Sequence, residues 1–197
     1  MRLSSHPSKN AGFSLIELMT VIGIMILLAG ILIAALPGIQ TKMNRTQVET
    51  FMAEIESGLT RYYTDNGIYP QNPGGGDRDA AGIDGAAILY KHLSGDWDEN
   101  GIADIQEDEN SDEEIYVAKL SFRESENAKT PRSDVIDGDF MVVDAFGNPI
   151  RYLADPPNVK PDERTTINPT YDLWSIVDAD PGVEEDEAKY ITNWQSN

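Results

Sequence analysis

The hydrophobic pattern of the first third of the chain changes character once. Leu18 to Leu36 is an apolar run of 19 residues broken only by Thr20 and small residues, and between Ala11 and Gln40 the sole charge is Glu17. About 20 apolar residues, each rising ~1.5 Å, cross the ~30 Å hydrocarbon core, so this run predicts a membrane-spanning helix. Pro37-Gly38 follows and is expected to loosen or kink the helix, because proline removes a donor and clashes with the preceding turn. Val48, Phe51, Met52, Ile55, Leu59 and Tyr62 then recur at spacings of three and four. Together the halves predict one long helix over 13–64, its first half in the membrane and its second half laid by one apolar face on a soluble domain. Asp65-Asn66-Gly67 should end it with a left-handed glycine cap, and Ile68-Tyr69-Pro70 should be extended.

Beyond this point the elements shorten. Residues 71–82 are rich in glycine, asparagine and aspartate and read as a loop, with a short helix over 85–93. In "EEIYVAKLSF", Ile115, Val117 and Leu120 alternate with polar residues, and "DGDFMVVDAF", "GNPIRYLA" and "YDLWSIVDAD" are three further strand candidates bounded by turn residues. In the last, Tyr171, Leu173, Ser175 and Val177 fall on one face and Trp174 and Ile176 on the other. Consecutive short strands with tight connections predict an antiparallel sheet and an α+β head. "DPPNVKPDERTTINP" reads as a surface excursion between the last two strands.

Charge and composition narrow the function. The 197 residues support one globular domain beyond the helix. The net charge is −19, or −21 without the first twelve residues that carry Arg2 and Lys9. Nucleic acid and anionic lipid are therefore not expected on the body of the protein, since both demand basic patches, whereas cations are. Cysteine is absent and His92 is the one histidine beyond residue 12. Zinc clusters and Ser-His or Cys-His nucleophile pairs thus lack material, and no catalytic residue is assigned. Acid pairs suited to glycoside cleavage are too common in so acidic a chain to point to an enzyme. His92 itself reads as a capping or surface residue near the end of a helix.

Two acidic features stand above a solvated surface. "GDWDENGIADIQEDENSDEE" holds ten acids and no base in twenty residues. Within it Asp96, Asp98, Asn100, Asp104 and Glu107 occupy positions one, three, five, nine and twelve of a loop, with Gly101 at six and the Ile102 carbonyl at seven. A calcium loop needs oxygen ligands in that order and a glycine at the sharp turn. Without a flanking helix pair it is closer to dockerin or thrombospondin calcium loops than to an EF-hand. The second feature is Glu17. A carboxylate within the bilayer costs a few kcal/mol at least, and no Lys or Arg lies within a helical turn, so its partner is expected from elsewhere. A secretory signal is the alternative reading of the N-terminus, but the apolar run exceeds the usual 7–15 residues and ends in Leu36-Pro37 rather than at a small-residue cleavage site.

Gly12-Phe13-Ser14-Leu15-Ile16-Glu17-Leu18-Met19 resembles the processing motif of type IV pilins and of the pseudopilins of type II secretion. The resemblance implies cleavage of a leader, residues 1–12, by a prepilin peptidase between Gly12 and Phe13, and methylation of the new Phe13 amine. It implies a transmembrane and fibre-core helix over 13–37 and a periplasmic pilin-like head over 38–197, here with an acidic insertion at about 73–122. Glu17 would then pair with the Phe13 amine of a neighbouring subunit. A buried acid and a buried ammonium offset each other's desolvation only as a pair.

The resemblance continues downstream. "YYTDNGIYP", Asp144-Ala145-Phe146-Gly147-Asn148-Pro149, Tyr171-Asp172-Leu173-Trp174-Ser175 and Ile191-Thr192-Asn193-Trp194 are similar to segments of the major pseudopilins. That similarity implies calcium in the C-terminal loop, with Asp178, Asp180, Asp186 and Glu187 as ligands and Ile176 as a carbonyl donor, although "VDADPGVEEDEA" departs from the glycine-rich family loop. The expected role is a subunit of a type II secretion pseudopilus in the bacterial inner membrane, forming a homopolymer and meeting minor pseudopilins and an inner-membrane assembly platform. A surface type IV pilin and a membrane-anchored calcium-binding module that never polymerises are the alternatives.

Overall fold

Helix α1 (Leu15–Asn66) occupies the N-terminal third of the computed structural model, which describes residues 13–72, 77–103, 114–180 and 183–194. It runs through Pro37-Gly38 without interruption, so the loosening expected there does not break it. Proline removes one helical donor, and the turns on either side keep theirs. At the far end Gly67 takes φ +74° and its N–H donates to the Tyr63 carbonyl at 2.8 Å, the left-handed cap the sequence anticipates.

The chain forms two compact units, residues 1–41 and 42–197. In the first, the large apolar side chains of α1, from Leu15 and Ile16 to Leu36 and Ile39, are solvent-exposed. Among the described residues α1 is the one helix long and apolar enough to cross a membrane.

The second unit is the α+β head. Val48, Phe51, Met52, Ile55 and Leu59 of α1 are buried in its core with Leu89, Tyr90 and Leu93 of α2 (Arg78–Leu93) and with Tyr152 and Leu173. Full burial of such a side chain contributes about 1.5–3 kcal/mol, which is why the period-3.6 stripe and not helix propensity fixes this half of α1. Helix α2 starts seven residues before the expected position. Asp77 caps it, accepting from the Ala80 N–H at 3.3 Å, within the stretch read as loop.

Two antiparallel sheets complete the head. Strands β1 (Ser133–Ile136) and β2 (Asp139–Val142) form a hairpin, turned by Asp137 and Gly138 at φ +55° and +103°. Positive φ at both turn residues marks the tight hairpin turn that matches strand twist. The second sheet has the order β3-β4-β5, with β3 (Arg151–Leu153), β4 (Asp172–Ser175) and β5 (Ile191–Thr192) all antiparallel. The alternation expected in β4 holds: Leu173 joins the main core, while Trp174 packs with Ala81 and Leu153 on the other side.

The expected strand over 113–122 does not form in its described part. Tyr116 and Val117 both donate their N–H groups to the Leu93 carbonyl, at 3.1 and 2.9 Å, and Arg61 donates to the Tyr116 carbonyl. Lys119 takes φ +59°. With its backbone groups engaged by the end of α2 and by α1, the segment buries Val117 and Leu120 as a turn and runs into the short helix α3 (Phe122–Ser125). The proline-rich excursion is exposed, as expected, but it is anchored. Asp155 accepts from the N–H and hydroxyl groups of both Thr165 and Thr166, and the fully buried Asp172 accepts from the Ile167 and Asn168 N–H groups and from Arg78.

Candidate functional site

At the N-terminal end, Phe13 is exposed and Ser14 precedes the first turn of α1. Glu17 Oε2 accepts from the Ser14 N–H at 2.8 Å, and Leu18 N–H donates to the Ser14 carbonyl at 3.2 Å. Ser-x-x-Glu is one half of a capping box, in which the third residue's carboxylate reaches back to satisfy an orphan donor. The field of the helix N-terminus favours a negative charge there. Within a single chain, then, the partner of Glu17 is no cation but its own helix end. Gly12, the other residue of the expected processing site, lies outside the described residues.

The described start of the inserted acidic loop, residues 95–103, is a hydrogen-bonded turn with Asp96 at its hub. Asp96 is buried; its Oδ1 accepts from the Asn100 N–H at 2.9 Å, and its Oδ2 from the Gly101 N–H at 2.9 Å and from Tyr90 Oη at 2.5 Å. Asn100 also donates to Asp98, and Asn100 Oδ1 accepts from the Ile102 N–H at 2.8 Å. Gly101 sits at φ +88°, the left-handed conformation that makes glycine the residue for position six. Burial raises the Asp96 carboxyl above its ordinary value, with the bond from Tyr90 opposing that shift. Asp96, Asp98 and Asn100 thus supply a hard, all-oxygen donor set on one curled turn. Asp104 and Glu107 lie outside the described residues.

The C-terminal loop is arranged otherwise. Asp178 pairs with Arg45 of α1 at 2.8 Å, and Asp186 accepts from Lys189 and from the Asp180 N–H. The Ile176 carbonyl accepts from the Ala179 N–H at 2.9 Å. Glu187 belongs to the short helix α4 (Glu184–Glu187), and its carbonyl accepts from the Tyr190 N–H. Among the described residues no three His, Asp or Glu side chains converge on one point in either loop or elsewhere.

Comparison with known proteins fits this architecture. Residues 7–33 match the family described as the prokaryotic N-terminal methylation motif. The type IV major pilin protein PilE of Neisseria gonorrhoeae is 33% identical over 149 residues, 70% of this chain and 84% of that protein. The chain belongs to the type IV pilin-like family. PilE1 of the same organism is 36% identical over 115 residues, 56% of this chain and 50% of that protein. The type II secretion system core protein G of Klebsiella michiganensis is 41% identical over 59 residues, 30% of this chain and 42% of that protein. No solved structure matches.

In this pilin-like chain the downstream segments that carry the resemblance are tied together. Asp144 Oδ1 accepts from the N–H groups of Phe146 and Asn148, and its Oδ2 from the Ser175 hydroxyl at 2.5 Å. Asn148 Nδ2 donates to the Val177 carbonyl at 2.7 Å. Asn193 extends the β4–β5 pairing with its side chain: Oδ1 accepts from the Leu173 N–H and Nδ2 donates to the Tyr171 carbonyl. Trp194 meets Trp174 edge-on, with Arg78 over both rings.

Two assignments change or gain a residue. His92 is neither a cap nor a surface group: it is half-buried between Tyr62, whose Oη lies 3.2 Å from Nδ1, and the ring of Trp97. Desolvation, helped by the neighbouring Lys91 charge, pushes it down to about 4, so it is neutral at physiological pH. Arg45, which reaches the C-terminal loop, stands in the sequence only as a base between the apolar positions of α1. A lone base opposite an acidic loop carries no sequence pattern that would have found it.

Proposed function

We propose that this pilin-like protein is a structural subunit of a type II secretion pseudopilus, processed between Gly12 and Phe13 and polymerised through α1. The observation that carries the subunit reading is the pairing of an exposed, apolar first half of α1 with one carboxylate in its first turn. Such a surface is stable only in lipid or against copies of itself. On transfer from membrane to fibre, Glu17 exchanges the Ser14 N–H for the Phe13 amine of the next subunit, a charge-assisted bond stronger than the neutral one it replaces. The prepilin peptidase, minor pseudopilins and an inner-membrane assembly platform are the partners of this cycle, with the head in the periplasm and protein export across the outer membrane as its output.

Calcium belongs to this reading at the inserted loop, where Asp96, Asp98, Asn100 and the Ile102 carbonyl would hold it and it would offset the local negative charge. Its contribution is to the stability of the head and not to any reaction.

The pseudopilus reading draws on the 41% identity over 59 residues to the type II core protein G and on the downstream segments that resemble major pseudopilins. The surface-pilin reading draws on the 84% of PilE that the chain covers. Deleting the gene separates them. Loss of extracellular accumulation of folded proteins, with surface fibres unchanged, is the expected result; loss of surface fibres with secretion intact overturns it in favour of a pilus. Complementation with Glu17→Ala should restore a chain beginning at methylated Phe13 but no fibre, and fibres from that variant would sink the assembly role.

A further inference from the structure

The C-terminal loop carries six acids within ten residues, and the family resemblance implies a divalent cation held by four of them, Asp178, Asp180, Asp186 and Glu187. Its residues do not fit one. Two of the carboxylates that would ligate already face cations of the chain itself, Asp178 the Arg45 guanidinium and Asp186 the Lys189 ammonium.

The geometry points to Arg45 as the cation that closes this loop. Its Nη1 donates to Asp178 Oδ1 at 2.8 Å and its Nη2 to the Lys189 carbonyl at 2.7 Å. One guanidinium therefore clamps the two ends of the 178–189 segment, through the Asp178 carboxylate on one side and the main-chain carbonyl oxygen of Lys189 on the other. A calcium ion in a loop uses the same two kinds of oxygen to bring chain ends together. The planar fork of arginine does so with directed bonds and without desolvating a dication. Lys189 completes the substitution: its ammonium meets Asp186 and its charge is held by Asp178 and Asp180, which with that bond raise it above the ordinary lysine value. Asp186 in turn takes the Asp180 N–H, so the interior of the loop is bonded as well as its ends. Because the Arg45 and Asp178 side chains keep 30% and 38% of their exposure, the ion pair alone is a modest contributor. The bond to the Lys189 carbonyl makes it a clamp. The loop then folds on its own cations, and the head remains closed at this end in a calcium-poor medium.

The test is amide hydrogen exchange over residues 178–190 of the full chain in detergent, with 1 mM calcium and with EGTA, for the wild type, Arg45→Ala and Arg45→Lys. Exchange at the Ala179, Lys189 and Tyr190 amides of the wild type is expected to be the same with calcium and with EGTA. Arg45→Ala should speed it on the order of tenfold, the equivalent of losing a charge-assisted bond, and Arg45→Lys should fall between, since a single ammonium cannot span both acceptors. Faster loop exchange in EGTA, or slower exchange with calcium, overturns the proposal from the wild type alone, whatever the variants do. Unchanged exchange in Arg45→Ala also overturns it. A calcium response confined to residues 95–103 leaves it standing, because that response belongs to the inserted loop.

Discussion

Asp144 and Ser175, 31 residues apart, share a buried hydrogen bond at 2.5 Å that joins the turn after β2 to the end of β4. The same carboxylate caps the turn by accepting from the Phe146 and Asn148 N–H groups, and the Ser175 hydroxyl also accepts from the Val177 N–H. Burial raises the Asp144 carboxyl above its ordinary value, against the pull of these donors. Asp144→Ala leaves three donors without an acceptor, and each buried orphan costs about 1–3 kcal/mol. The expected loss is about 3 kcal/mol or more, which lowers the Tm of a domain this size by roughly 6–12 °C. Asp144→Asn keeps one acceptor oxygen for the turn and a donor for the serine, and should lose less than half as much. Calorimetry of both variants checks this; equal losses would mean that charge, and not the acceptor geometry, holds the turn.

Gly85 lets α2 lie directly on β3. A Cβ there would sit 2.0 Å from the Tyr152 carbonyl oxygen and 2.6 Å from Asn72 Nδ2, which itself donates to the Tyr152 carbonyl. The obstacle is backbone, so it cannot swing aside, and overpacking costs typically about 1–3 kcal/mol and occasionally more. Gly85→Ala should therefore destabilise by about 3 kcal/mol or more, despite its better helix propensity. The exposed neighbour Asp84→Ala should stay within about 0.5 kcal/mol. Urea midpoints of the two, measured side by side, decide it: a stable Gly85→Ala would mean that α2 and β3 are further apart.

How far the sequence reached depends on the kind of signal. Long periodic stretches were legible: α1 within two residues at each end, its buried stripe, and the alternating faces of Leu173 and Trp174. Pro37 leaves α1 continuous, as one long helix requires, because one lost donor does not end a helix carried by its neighbours. Helix α2 began early because the Asp77 cap sits in a stretch whose composition says loop. Strand β1 was missed outright although Asp137-Gly138, a hairpin dipeptide, precedes β2. The strand over 113–122 went wrong because alternation cannot reveal that Leu93 and Arg61 already hold that backbone. Of the candidate sites, the inserted turn was legible from the spacing of Asp96, Asn100 and Gly101. Arg45 and the Glu17–Ser14 cap were not, since each depends on a partner that spacing does not name.

Calcium, if it enters through the inserted loop, stabilises the native state by mass action, by about 2.7 kcal/mol at a hundredfold excess over Kd. Asp98→Ala should remove the calcium-dependent rise in Tm of the full chain while Asp180→Ala leaves it intact. Tyr90→Phe provides a separate measure of the hub. It takes a donor from Asp96 and an acceptor from the Phe122 N–H, so it should lower Tm with and without calcium. A calcium response lost with Asp180→Ala and kept in Asp98→Ala would return the ion to the C-terminal loop.

Acid should loosen the proline-rich excursion before the rest of the head. Asp155 is the acceptor that folds residues 155–166 back on themselves. Desolvation raises its carboxyl, but the hydrogen bonds from Thr165 and Thr166 outweigh it and hold the group below its ordinary value. A depressed acid contributes stability that is present above its unfolded value and lost as pH falls through the folded one. The loop should thus be intact above the ordinary carboxylate value and open as pH falls through the lowered, folded one. Pepsin, active throughout that range, should cut between 156 and 171 at about pH 2 and leave the segment whole at about pH 4. Asp155→Asn, which offers one acceptor oxygen for four donors, should be cut at both. Wild-type resistance at the lower pH would show that Asp172, through Ile167, Asn168 and Arg78, holds the excursion without Asp155.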